Sequence, residues 1–361
     1  MRADTATRLI DEVKRSLVDA PASAPFAVAA DRYTSPEWLA REQPLFAAPR
    51  IAMASGSLTA GACRPFDAPG LSALVTRDVD GRVHAHVNAC RHRATRLVDA
   101  PCTAKALVCP YHGWTYELTG RRIHVPHESA FPGVGRRDLL PVACEERHGL
   151  VWLGGAATSD VAAYLGPLDD ELAALDLQSH VAWRESRVTR ACNWKLVIEA
   201  FLDGYHIRTL HRDSIYRFFL DAASAAERAG DHIRAVTARR TLRDATPAAD
   251  PRLITTPSFT LFPATTIIEH PDFVSVITVA PLAPDRTDWH HMMLVPASRA
   301  SETDHWEKSW QLIEEQVFQR EDLWVCEQIQ KGLADGRTQE LLFGALESAV
   351  EWFHASIAAR M

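Results

Sequence analysis

The sequence predicts an α+β protein of two domains: an all-β unit, then a larger unit that mixes antiparallel strands with helices. Three observations carry this. Between residues 48 and 158, short alternating apolar runs such as LSALVTRDVDGRVHAHVNAC are punctuated by turn residues, the period-2 texture of strands. After residue 159, strand-like stretches are followed by long helical ones without βα alternation, a pattern of α+β folds. A chain of 361 residues is also longer than one typical core sustains.

Taken in order, residues 4–20 read as an amphipathic helix, with Ala6, Leu9, Ile10, Val13 and Leu17 at three- and four-residue steps. Pro21, Pro25 and Pro36 break the pattern over 21–47. In the β unit, Asp80-Gly81 within VDGRV is a hairpin signal, and Thr119-Gly120 and Gly154-Gly155 are further turns. Residues 168–176 and 193–211 read as helices, and 181–190 as a strand. AASAAERAGD over 222–231 reads as a loop or mobile helix, and 257–297 as several antiparallel strands. Two long helices close the chain. One spans 304–333, with Trp306, Trp310, Ile313, Val317 and Trp324 along one side. The other spans 339–358, with Leu342, Leu346, Val350 and Phe353.

Composition excludes several functions. A formal net charge of -7 offers no basic field for nucleic acid. The chain has no apolar run long enough to span a membrane. The opening MRADTATRLIDEVKRSLVDA lacks the apolar core of a signal peptide. Seven cysteines, an odd count spread over a long chain, argue against a disulfide framework and for a reducing cytoplasm.

In that compartment a local Cys/His cluster points to a metal. Cys90-x-His92 and Cys109-x2-His112 enclose sixteen residues, 93–108. A structural Cys2His2 zinc site usually groups its cysteines on one turn and its histidines on a helix. Here each loop supplies one of each, which suits a [2Fe–2S] centre with two thiolates on one iron and two imidazoles on the other. CRHRATRL…CPYHGWTYELTG closely resembles the Rieske motif of ring-hydroxylating and related oxygenases, through Arg93, Pro110, Tyr111, Gly113 and Trp114 as well as the four ligands. Ala94 stands where that family often has Gly, a cost if the position needs positive φ. Cys102, between the pairs, reads as a plain buried thiol.

A second constellation lies in NWKLVIEAFLDGYHIRTLHRD, residues 193–213. On a continuous helix Glu199, Asp203 and His206 share a face. His211 falls about 140° round from His206, so the helix must end or distort between them, with Gly204 loosening it. Two histidines and one carboxylate form the facial triad of non-haem Fe(II) oxygenases, with coordination positions left open. The segment is similar to the mononuclear-iron motif of the same family, with Ala200 where many relatives carry Asn. REDLWVCEQIQKGL, residues 320–333, resembles the C-terminal helix of oxygenases related to choline and carnitine monooxygenases. By that match Asp322 is the third ligand, with Glu321 the neighbouring alternative.

The resemblance covers about 31–361. It implies residues 1–47 packing on a catalytic domain, a Rieske domain over 48–158, and a helix-grip (START-like) catalytic domain over 159–361. It further implies a terminal oxygenase component working with O2, and an assembly of head-to-tail trimers. Asp203 would bridge His206 to His112 of a neighbouring subunit, with Glu199 supporting it or paired as a buried acid with Arg or Lys. No GxGxxG follows a strand and no second multi-cysteine pattern is present. A separate reductase, with or without a ferredoxin, would therefore pass electrons from NAD(P)H. The substrate would be a small aromatic compound, or a quaternary or N-methyl amine, hydroxylated or demethylated. Tyr205, Phe218, Phe259 and Phe273, with Phe219, Leu261, Phe262 and His270, are the expected pocket lining. An iron–sulfur electron carrier without oxygenase chemistry is the alternative.

Overall fold

The computed structural model describes residues 1–17, 24–154, 160–246 and 249–361. The chain divides into two compact units: Ala47–Val161, and Met1–Phe46 together with Ala162–Met361. The expected boundary at 158/159 and the turn residue Gly155 lie outside the described residues.

Among the described residues, Ala47–Val161 holds three antiparallel sheets. Cys144–Arg147, Leu150–Leu153 and Arg50–Ala54 form one. Val83–Val87, Leu71–Arg77, Ala62–Ala68 and Cys102–Thr103 form the second. Leu107–Val108, Thr115–Tyr116 and Arg122–His124 form the third. The Asp80-Gly81 hairpin is present, pairing Arg77 with Val83, and Gly81 has φ 82°. Gly120 (φ 83°) closes another turn, where an added Cβ would lie 2.4 Å from the His86 ring. Thus the alternation seen in sequence becomes strands because one side of each faces a small core, here Leu74, Trp114, Tyr116 and Leu118.

The other unit is organised on a seven-stranded antiparallel sheet. Its order is His180–Arg190, Arg286–Pro296, Val274–Ala283, Thr265–Glu269, Thr255–Leu261, His232–Arg239, Phe219–Ala229. Alternation sends Val236 and Ala238 to one face, where they pack with Ala6, Leu9 and Ile10 of the N-terminal helix Ala3–Ser16. Ile233 and Ile268 enter the core shared with the helices Trp194–Leu202 and Ser348–Ala358. The Asn-Trp-Lys motif anchors the first of these helices. Asn193 caps it by accepting from Lys195 N at 3.0 Å. Trp194 Nε1 and Lys195 Nζ both donate to Glu42, at 2.9 and 2.8 Å.

Four expectations change. Residues 222–231 are not a loop: Phe219–Ala229 is a strand. Its alanines are poor strand formers, but Ala223, Ala225 and Ala229 are buried, and packing overrides the propensity. The 193–211 helix stops at Leu202, and Asp203 is extended at φ -108°, ψ 125°; Glu199, Asp203 and His206 therefore do not share a helical face. The last helix begins at Ser348 rather than 339, because Glu340–Phe343 pairs as a strand with Phe26–Ala29; Leu342 is left 74% exposed. The 304–333 helix is continuous, but Gln311–Asp322 winds as a π-helix between Thr303–Trp310 and Leu323–Leu333. That i→i+5 pitch shifts the register, so Trp324 is half exposed while Trp306, Trp310 and Val317 are buried. Among the described residues, no helix is long and apolar enough to cross a membrane.

Candidate metal centres and their cavity

Cys90 and Cys109 occupy two loops of the β unit that are held by their own backbones. Cys90 N donates to Thr95 O, Ala94 N to Cys90 O, Cys109 N to Trp114 O and Gly113 N to Cys109 O, at 2.8–3.0 Å. Gly113 (φ 70°) and Ala94 (φ 58°) both take the left-handed conformation. Ala94 thus carries the strain that a glycine would avoid. Each cysteine is only 3% exposed. Burial raises the Cys90 thiol, against hydrogen bonds from Tyr116 and the His92 backbone, and Cys109 beside it adds to the rise. The Tyr116 hydroxyl lies 3.3 Å from Cys90 Sγ and 3.0 Å from Arg91 N. His92 and His112 lie outward of the thiols, with ring centroids 4.8 Å apart, and His92 stacks on Trp114.

The donor set is two buried thiols beneath two paired imidazoles. A single tetrahedral zinc would draw all four donors to about 2.0–2.3 Å from one point. Among the described residues, only His206, His211 and Asp322 bring three ligand atoms within 4.8 Å of one another. The Cys/His set therefore fits a two-iron cluster better than one ion. Cys102 is exposed rather than buried. It sits opposite Cys63 in the register of two strands. Burial, and then Cys102, push the Cys63 thiol up to about 12.

In the larger unit, His206 and His211 flank the single short helix Ile207–Leu210 as its N- and C-caps. The break that lets them converge comes before His206, at Asp203–Tyr205. Gly204 serves a close approach there: a Cβ would fall 2.4 Å from Ser224 Oγ. His206 Nε2 and His211 Nε2 are 3.2 Å apart. Asp322 Oδ1 is 3.1 Å from His211 Nε2 and 3.6 Å from His206 Nε2. That oxygen is buried without a hydrogen-bond partner. A buried carboxylate oxygen facing two imidazole nitrogens is an uncompensated donor set, and a divalent cation would satisfy it.

Each ring is oriented from its far side by a carboxylate. Asp203 Oδ2 lies 3.2 Å from His206 Nδ1, and Asp203 Oδ1 accepts from Tyr205 N. Glu321 Oε2 accepts from His211 Nδ1 and from Ser214 Oγ, both at 2.7 Å, while Gln316 Nε2 donates to Oε1 at 2.9 Å. Ring orientation by an outer carboxylate is the usual support of a histidine-ligated metal. Burial lowers the His211 imidazole, but Asp322 and Glu321 outweigh it and hold it above its ordinary value. The same negative field favours a cation. The π-helix places both acidic neighbours here: Glu321 and Asp322 are 9% and 4% exposed. Glu199 does not hydrogen-bond to Asp203. Its Oε1 accepts from the Tyr33 hydroxyl at 2.8 Å and lies 2.9 Å from His354 Nε2. Sequence reasoning missed Glu321 as the His211 partner, and Tyr33 and His354, whose contacts span more than 150 residues.

A cavity of about 270 Å³ opens onto this trio. Asp203, His206, His211 and Asp322 line one end, and Phe201, Phe218, Phe273, Ile313 and Phe318 the walls. Of the aromatic residues nominated from sequence, Phe218, Phe219 and Phe273 line it, as does His270. Tyr205 is 62% exposed and Phe259 fully buried; neither borders the cavity, nor do Leu261 and Phe262.

Residues 175–361 match the model of the ring hydroxylating alpha subunit (catalytic domain), and 49–142 that of the Rieske [2Fe-2S] domain. The glycine betaine monooxygenase oxygenase subunit of Chromohalobacter salexigens is 36% identical over 141 residues, 38% of this chain and 32% of that protein. The biphenyl 2,3-dioxygenase subunit alpha of Rhodococcus jostii is 33% identical over 146 residues, 38% of this chain and 32% of its own. The matched segment thus spans about a third of the length of these curated relatives. The fold is similar to that of the quaternary ammonium Rieske monooxygenase CntA, with TM-score 0.82 at 19% identity over 94% of this chain and 96% of that one. The cofactors of this family are a Rieske cluster and a mononuclear iron, with O2 as cosubstrate. By its matched domains, the chain belongs to the ring-hydroxylating alpha-subunit family of Rieske oxygenases.

Proposed function

We propose that this chain is the terminal oxygenase component of a multicomponent system that hydroxylates or oxidatively demethylates a small organic substrate, an aromatic compound or a quaternary or N-methyl amine. The observation that carries the reading is the trio His206, His211 and Asp322 at the end of a largely apolar cavity. An electron carrier has no use for an open metal position beside a substrate-sized space. That observation favours the oxygenase over the carrier reading.

Cys90 and Cys109 would hold one iron of the cluster and His92 and His112 the other; His206, His211 and Asp322 would hold the mononuclear iron. The bound irons supply electron storage and O2 chemistry. The chain's own residues do the rest. Glu321 and Asp203 fix the two imidazoles so that Nε2 of each faces the cavity end. The apolar walls exclude water from the reacting carbon. Asp203 keeps acceptor capacity beyond its bonds to His206 and Tyr205 N. It would receive His112 of a neighbouring subunit in a homotrimer, where His112 is exposed and free to meet it. Glu199, held by Tyr33 and His354, would brace the helix that leads into Asp203. In this reading residues 1–47 belong with the catalytic domain 159–361, and 48–158 form the Rieske domain. Electrons would come from NAD(P)H through a separate reductase, with or without a ferredoxin, in the cytoplasm.

The test is purification with iron analysis and a visible spectrum, then O2 uptake with a surrogate reductase against aromatic acids and methylated amines. About three irons per chain and substrate-coupled uptake are expected. Two irons with a Rieske spectrum and no uptake would leave only a carrier.

A further inference from the structure

The cavity is not uniformly apolar. Opposite faces of the sheet strands alternate, and the odd-numbered positions of His232–Arg239 bring Thr237 and Arg239 to its lining. Thr256, paired with Thr237 in the register, and Ser258 join them from the next strand. His270 completes this polar corner. The carboxylates that line the cavity, Asp203 and Asp322, belong to the metal end.

Arg239 is thus a cation in the substrate space. Among the described residues no carboxylate pairs with it. Among the described residues the guanidinium makes one hydrogen bond, from Nη1 to Thr256 Oγ1 at 3.1 Å. A guanidinium has five N–H donors, so most remain to be used. Burial alone acts on its ionisation, pulling it below its ordinary value with no acid to compensate. Leaving a partly buried guanidinium unpaired is costly, and an anionic ligand would recover that cost. The guanidinium lies over the Phe218 and Phe219 rings, at 5.6 and 5.3 Å. Arg217 lies over Phe218 as well, at 4.8 Å. These π-faces are therefore already engaged by the protein's own cations. A substrate ammonium brought to them would meet like charge instead of a vacant aromatic cage.

We infer that Arg239 anchors a carboxylate on the substrate, with Thr256 and Ser258 beside it, and that the carbon to be oxidised lies toward His206, His211 and Asp322. The inference rests on the oxygenase reading for the identity of that second end. It narrows the substrate to carboxylate-bearing molecules, an aromatic acid or a betaine, in preference to simple arenes and to cations without an acid group. A planar fork matched to a carboxylate makes two parallel hydrogen bonds, so lysine is an incomplete replacement.

The test uses the iron-loaded, cluster-containing protein and two pairs of probes, benzoate against benzamide and glycine betaine against choline. Binding is measured by calorimetry and O2 uptake in parallel. The acid of at least one pair binds at least 10-fold more tightly than its partner. Arg239→Gln removes about 10- to 100-fold of that affinity, and Arg239→Lys retains part of it. Equal binding within both pairs, or unchanged affinity in Arg239→Gln, overturns the assignment. If Arg239→Gln does not fold, the wild-type pairs and Arg239→Lys still decide. Carboxylate binding without O2 uptake upholds the Arg239 site and counts against the oxygenase reading. Uptake with choline or benzamide but not the acids upholds the oxygenase and overturns the anchor.

Discussion

Replacing Glu321 separates the orientation of His211 from the ligation of the metal. Its carboxylate accepts three hydrogen bonds: Oε2 takes His211 Nδ1–H and Ser214 Oγ–H at 2.7 Å, and Oε1 takes Gln316 at 2.9 Å. Glu321→Leu leaves the His211 Nδ1 donor buried and unpaired, at about 1–3 kcal/mol, leaves Ser214 Oγ with the His211 carbonyl at 3.3 Å as its acceptor, and frees the imidazole to rotate off its ligating angle. Loss of such an outer carboxylate weakens metal binding by about 10- to 100-fold, equivalent to ~1.4–2.7 kcal/mol. Glu321→Gln is milder, because Gln316 can flip its amide and keep every hydrogen bond; only the charge is lost. The assay strips the mononuclear iron with a chelator and titrates Fe(II) back anaerobically, with the visible spectrum of the cluster as an internal control. The expected order of affinity is wild type, Glu321→Gln, Glu321→Leu, with an unchanged spectrum. Wild-type affinity in Glu321→Leu would refute the reasoning, and so would parallel loss of the cluster, which would indicate general misfolding.

Asp203→Asn is expected to keep both metals and abolish turnover; full activity in a metal-replete variant removes the bridging role. Lys195→Met leaves Glu42 buried with Trp194 as its remaining hydrogen-bond donor and costs about 3–5 kcal/mol in urea melts, part of which Glu42→Gln restores in the double variant. Ala94→Gly relieves a left-handed alanine (φ 58°) and gains up to ~1 kcal/mol, the relief of about 1–2 kcal/mol exceeding glycine's extra chain entropy; a lower melting temperature argues against strain there. Stability falls below about pH 6.5 through His232. Its Nδ1 accepts from Phe262 N and its Nε2 donates to Tyr164 O, so the folded ring is neutral. Burial lowers its pKa, with the Tyr164 carbonyl opposing. The unfolded chain therefore binds the proton first as pH drops through its ordinary value of ~6.5. Stability is lost from there down to the folded pKa, at up to ~1.4 kcal/mol per pH unit. Denaturation at pH 7.5 and 5.5 checks this, and an unchanged slope in His232→Gln contradicts it.

Both constellations were legible in the chain because their donors sit close in sequence. Cys90, His92, Cys109 and His112 lie on two adjacent loops, and His206 and His211 flank one helical turn. Local spacing also revealed the Asp80-Gly81 hairpin and the apolar stripe of the first helix. Spacing misled where the backbone left its ideal period. The stripe joining Glu199, Asp203 and His206 assumed a helix that ends at Leu202. The Trp324 side of the long helix assumed an α pitch where Gln311–Asp322 has a π pitch. The strand Glu340–Phe343 owes its conformation to pairing with Phe26–Ala29, a partner that helical propensity cannot see.

Residue type and order thus determined which chemistry the chain can hold: thiols and imidazoles in mirrored pairs, and a histidine pair with a carboxylate to come. Only the fold decided how the parts divide their work. Whether Asp322 or Glu321 faces the histidines depends on a π-helical register, which buries both and aims one at each side of His211. That Glu199 serves Tyr33 and His354 depends on segments from both ends of the chain meeting. The place of Arg239 in the cavity depends on strand register across the sheet. Such contacts are long-range, and a sequence window carries no trace of the chain that will arrive opposite it.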